Sequence, residues 1–177
     1  MNTGALFGLG ILMNLLALAI VTKVYLLPKL RVMPRTDALL ALTTPHLFRF
    51  IGLSFLIPGV VSPSLSPAFA GPAAYGDLIA AVLAGIAVLA LAARVSWAIP
   101  IAWVFNAWGT LDLLHAIYAG QIGVGIDPGS LGATYFIPTV LVPPLLVTHV
   151  LMFWLLLRPK QRIDEEHRGL GLGRASP

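Results

Sequence analysis

The chain has 177 residues, of which 58% are hydrophobic and only 10% charged. A soluble domain carries about 25% charged residues, so a water-facing globule is excluded and the bilayer is the expected solvent. The net charge of +4 does not point to nucleic acid, because orientation in a membrane and contact with anionic lipid account for it. The absence of cysteine excludes disulfides, thiolate catalysis, Cys-ligated metals and iron–sulfur clusters.

Five long apolar runs are expected to cross the membrane as helices: 3–27, 45–61, 77–93, 97–119 and 133–157. Each is close to the roughly 20 residues that a crossing requires. The connecting segments alternate in charge. Lys29, Arg31 and Arg35, then Arg94, then Arg158 and the basic residues beyond it fall on one side. The segments 62–76 and 120–132 contain no Lys or Arg. The positive-inside rule then places the N-terminus outside and the C-terminus inside. The expected fold is an all-α, five-helix membrane bundle in the plasma (inner) membrane, with 158–177 as a mobile cytoplasmic tail. The first basic residue, Lys23, lies at the far end of the first run, so that run is an anchor and not a cleavable signal.

Span one is expected to stop at Pro28. Its Gly4 and Gly8 form a small-xxx-small pair suited to close helix contact. Asn14 lies near its middle and needs a partner, so it should face the bundle. Span two opens at Thr44-Pro45 with a capping residue and a proline at the first helical position. The apolar stretch 37–42 before it either lies in the interface or starts this span early. His46 and Arg49 share a face. Two places fit Arg49: snorkelling to the inner headgroups, or facing inward onto a carboxylate or an anionic ligand.

The uncharged segment 62–76 is rich in Pro, Ser and Ala. It reads as an outer loop lying on or dipping into the interface, anchored by Phe69 and Tyr75, and acting as a lid over the bundle. Asp77 then begins span three at its outer end. That span is otherwise free of polar side chains, with Ala80/Ala84 and Ala81/Gly85 as packing surfaces. Span four carries Asn106, Thr110, Asp112 and His115. A carboxylate within a span costs roughly 2.5–3.5 kcal/mol on insertion scales, and Asp112 and His115, three residues apart, can pair directly. Span five carries Pro138, Pro143 and Pro144. The last two free the carbonyls of Thr139 and Val140, which must find partners elsewhere, and His149 follows below that kink.

Counting depth at 1.5 Å per residue sorts these residues into two layers. The outer one holds Asp77, Asp112 and His115; the inner one holds Asn106, His149, His46 and Arg49. No metal is expected, because neither layer brings three or four ligands together at a recognised spacing. No cofactor is expected; b-type haem would need two histidines at matched depth, and only His46 and His149 come near that. Walker, Rossmann and zincin patterns are absent. The leading expectation is a small apolar or lipid-like ligand bound in a bundle pocket lined by spans two, four and five. One alternative is a membrane enzyme acting on a lipid or isoprenoid, with Asp112 and His115 as acid and base. Another is a proton-coupled small transporter, which would need a homo-oligomer to enclose a path.

Overall fold

The computed structural model describes residues 2–158, and these are all-helical with turns. The remainder of the tail lies outside the described residues. Five long helices follow in order. They are α1 (Thr3–Val32), α2 (Arg35–Leu56), α3 (Pro67–Ala92), α4 (Ala98–Tyr118) and α5 (Ile137–Leu157). Of these, α1, α2, α3 and α5 are long and apolar enough to cross a membrane. The 21-residue α4 is of similar length, but Asn106, Asp112 and His115 interrupt its apolar character.

α1 does not stop at Pro28. The helix takes a wide π turn over Thr22–Leu26, where the Leu27 N–H donates to the Thr22 carbonyl five residues back. That turn absorbs the missing N–H of Pro28 and carries the helix on to Val32.

α2 starts at Arg35, ten residues before the expected Pro45. The stretch 37–42 is its first part, with Ala38, Leu39 and Leu42 buried. From Thr44 to Leu56 the helix is 3₁₀ for thirteen residues, far beyond the usual three or four. With three residues per turn, every third side chain falls on one line. Thr43, His46, Arg49, Gly52 and Phe55 are accordingly all buried. Phe48 and Ile51 stay exposed on another face.

α3 begins at Pro67, so most of the expected outer loop is helix. Pro67 sits at the first helical position, where its missing N–H is harmless. Ala is the strongest helix former, and Pro72 in the second turn gives up only one bond. Phe69 is buried and Tyr75 exposed. Asp77 therefore lies ten residues into the helix, about 15 Å from its start, and not at its end. The buried face of α3 is mostly alanine, including Ala80, Ala84 and Ala87, and these short side chains let α2 and α4 pack closely on either side.

Two apolar clusters form the core. One joins Leu30, Leu39, Leu91, Ala98, Phe105 and Leu155. The other joins Phe7, Phe55, Phe69, Ala74, Leu131 and Ile137. The loop after α2 and the 3₁₀ segment Pro128–Tyr135 roof the second cluster. They are tied by Ser62 N–H to Ser130 carbonyl (3.0 Å) and Ala133 N–H to Val60 carbonyl (2.9 Å). Gly132, at φ +54°, lies so close to Val60 that a Cβ would collide with it.

α1 packs on α5 and the Pro128–Tyr135 segment and buries only Phe7 apart from Leu30 at its far end. Gly8 faces open space; Gly10 is the glycine that approaches α5, at Thr139. Asn14 holds this contact. Its Nδ2 donates to the carbonyls of Thr139 (2.8 Å) and Val140 (3.0 Å), the two that Pro143 and Pro144 leave without helical donors. Replacing Asn14 by Leu should leave both acceptors unpaired and destabilise the protein by about 1–3 kcal/mol. Chemical denaturation in mild detergent checks this, with Asn14→Gln expected to lose less.

Candidate functional site: a buried arginine between two carboxylates

Between the two apolar clusters lies a polar one, built by α2, α3, α4 and α5. Its centre is Arg49, only 2% exposed. Arg49 Nε donates to Asp77 Oδ1 at 2.7 Å, and Nη2 lies 2.7 Å from the same oxygen. Nη2 also donates to Asp112 Oδ2 at 2.5 Å. Nη1 donates to the Gly109 carbonyl at 3.2 Å. All three guanidinium nitrogens are engaged, by residues from two other helices.

Three glycines make room for this. A Cβ at Gly52 would collide with the Asp77 carboxylate, and one at Gly76 with that of Asp112. A Cβ at Gly109 would come within 2.6 Å of the His149 ring and 2.9 Å of Arg49 Nη1. Each glycine thus removes the atom that would hold the charged groups apart.

Toward the first apolar cluster two histidines lie beside this group, His149 next to Arg49 across Gly109, each with hydrogen-bond partners of its own. Thr148 Oγ1 donates to the Leu145 carbonyl (2.8 Å) and accepts from His46 Nε2 (2.9 Å). His149 Nδ1 donates to Asn106 Oδ1 (2.7 Å), and Asn106 Nδ2 donates to the His149 carbonyl (3.3 Å). These bonds assign the ring protons by geometry. They leave His46 Nδ1 and His149 Nε2 as buried acceptors without partners among the described residues. The two rings lie 4.3 Å apart, centre to centre, beside Phe105.

The expected two layers therefore meet in one cluster around Arg49, apart from His115. Arg49, expected in the inner layer, joins Asp77 and Asp112 of the outer layer and faces inward, away from the headgroups. Asp112 is paired with Arg49, and no hydrogen bond joins it to His115 among the described residues. His115 is exposed; it borders a recess of about 340 Å³ between α3 and α4 with Asp112, Gly76 and Trp108. Asn14 lies apart from the cluster, at the π turn Ile137–Leu141 that begins α5. Thr148, Gly52, Gly76 and Gly109 are additions. Glycine on the same face as a charge, three residues from Arg49 and from Asp112, was the available signal for Gly52 and Gly109; Gly76, next to Asp77 in sequence, carried none. No group of three or more metal-ligating side chains occurs among the described residues.

Above the cluster is a cavity of about 500 Å³. Phe7 and Ile11 of α1, Phe55 of α2, Leu113 and Ile117 of α4 and Ile137 of α5 form walls, and Asp77 and Asp112 supply its charge. Fold and site together define an all-helical bundle of apolar helices organised on a buried, doubly ion-paired arginine, with an apolar cavity against it. The chain belongs to the family described as Domain of unknown function (DUF8737), whose model matches residues 6–157 and so includes every residue of this cluster. No curated protein and no solved structure matches the chain.

Removing one partner of a buried ion pair leaves the other charge uncompensated and costs about 3–5 kcal/mol. Arg49→Met should destabilise the protein by that order in detergent unfolding. The triple change Arg49→Met, Asp77→Asn, Asp112→Asn should recover much of the loss. Arg49→Lys should not, because an ammonium cannot present this planar fork.

Proposed function

We propose that the protein is a multi-pass plasma (inner) membrane protein of five spans that binds a small apolar or lipid-like ligand in the bundle cavity. The observation that carries this is the cavity of about 500 Å³, apolar on its walls and charged at one place. Small-molecule sites have this form, at about 300–1,000 Å³, with a few polar groups fixing orientation. The prolines of α5 contribute directly: Pro138 and Pro143 line the cavity where a π turn over Ile137–Leu141 passes into α-helix.

Membrane insertion is supported by the surface. Leu12, Phe48, Val82, Leu89, Leu111 and Val150 are all exposed, as lipid-facing side chains should be. The fifth span and the orientation are supported by the placement of ends. Arg35 donates to the Leu156 carbonyl at 2.7 Å, and Arg94 pairs with Asp37 at 2.8 Å. The basic ends of α1/α2, α3/α4 and α5 therefore gather at one end of the bundle. α4 starts there, with Ala98 in the first apolar cluster, and beyond its other end Gly120 lies against Phe69 of the second. Positive-inside logic puts the basic end in the cytoplasm. Binding is favoured over acid–base catalysis by Asp112 and His115 because Asp112 is bonded to Arg49 and His115 faces outward.

Two experiments test these readings. Gly8→Phe and Ala116→Phe each add bulk to a cavity wall, from α1 and α4 respectively. Each should abolish binding of decanol to the purified protein, measured by thermal shift, while the unliganded melting temperature stays within a few degrees. Unchanged decanol binding in both variants would sink the cavity reading. For topology, Ser64→Cys in this cysteine-free chain should react with an impermeant thiol reagent from outside. Reaction only after access to the cytoplasmic face would reverse the orientation.

A further inference from the structure

The charge at the cavity is unbalanced. Two carboxylates, Asp77 and Asp112, share one guanidinium. No Lys or other Arg lines the cavity. Among the other described cations Arg35 and Arg94 are engaged at the basic end, and Lys23, Lys29 and Arg31 do not line the cavity. His46 and His149 are close to Arg49's helix row, but their assigned protons point to Thr148 and Asn106.

The carboxylates are also unsaturated as acceptors. Arg49 uses Oδ1 of Asp77 and Oδ2 of Asp112. Asp77 Oδ2 and Asp112 Oδ1 accept no hydrogen bond from the described residues, yet neither is fully buried without a partner. The two side chains retain 11% and 10% exposure, and both border the cavity. Gly52 and Gly76 stand against these oxygens, so each carboxylate occupies the place that a Cβ would take. An excess negative charge in a low-dielectric wall needs a counter-charge or a proton, and a carboxylate oxygen with free lone pairs takes a donor.

Resting on the cavity reading above, we propose that the ligand is an amphipathic amine: one cationic ammonium head donating to Asp77 and Asp112, with an apolar body along Phe7, Ile11, Leu113 and Ile117. A carboxylate head is repelled by the same pair. A neutral alcohol head can donate a hydrogen bond but leaves the excess charge in place.

Decylamine, decanol and decanoic acid share one chain and differ only in the head. Their dissociation constants for the full-length protein in neutral detergent separate the possibilities, with Gly8→Phe as the control for partition into the micelle. Decylamine should bind at least about tenfold more tightly than decanol, and decanoic acid most weakly. Asp112→Asn should bring decylamine to the level of decanol, and Asp77→Asn provides the same comparison should the first variant not fold. Equal binding of amine and alcohol, both lost in Gly8→Phe, would overturn the head assignment and leave the cavity reading standing; it would mean that a bound proton already balances the pair. Tighter binding of the acid would overturn it as well. Failure of all three to bind would overturn both.

Discussion

A guanidinium enclosed by protein in a chain this apolar constrains everything around it. Arg49 cannot be left unpaired in such surroundings, since an isolated buried charge is worse than any single packing defect. Two carboxylates and a carbonyl meet it from α3 and α4, which fixes how those helices sit against α2. Close approach then requires glycine at 52, 76 and 109. The positions of three helices thus follow from satisfying one side chain.

The 3₁₀ form of α2 belongs to the same solution. In an α-helix each step of three residues turns a side chain back by about 60°, so His46 and Phe55, three steps apart, would face opposite ways. At three residues per turn they line up. The helix can then present an imidazole, the guanidinium, a glycine and a phenyl ring in one row to α3 and α4. The poorer backbone hydrogen bonds of a long 3₁₀ helix are the cost, offset by the ion pairs this row makes possible. Thirteen residues in this form also rise about 26 Å, close to the thickness of a bilayer core.

Much of the helical fold was legible, because apolar run length and the need of Thr139, Val140 and Asn14 for partners follow from composition and covalent structure alone. The pairing of these last three is one contact that answers two separate demands. The site was less legible, and two errors of length explain why. Depth counted at 1.5 Å per residue fails in α2, which rises faster and starts at Arg35. It fails again in α3, where Pro67 and Pro72 read as loop residues but the Ala-rich stretch around them is helix. Together these corrections bring Arg49 and Asp77 to one level, and the two expected layers meet at Arg49, with His115 left outside. Nothing in the residue spacing of α4 indicates that Asp112 prefers an arginine two helices away in sequence to His115 one turn on.

The walls of the cavity are not equally fixed. Phe55, Leu113 and Ile137 belong to helices whose other faces lie in the core or in the ion-pair cluster, so moving them exposes charge or breaks apolar packing. α1 is different. Along its first 25 residues Phe7 is the one buried side chain, and its polar tie to the bundle is Asn14. Segments with few buried contacts open at the lowest free energy, so α1 is the wall of the cavity held by the fewest of them. Asn14 sets how firmly that wall is held, because its two hydrogen bonds are the directional ones α1 makes to α5 among the described residues. They end on the π turn Ile137–Leu141, beside Ile137 and Pro138 of the cavity wall, so the same side chain satisfies the proline-freed carbonyls and fastens α1 to the cavity.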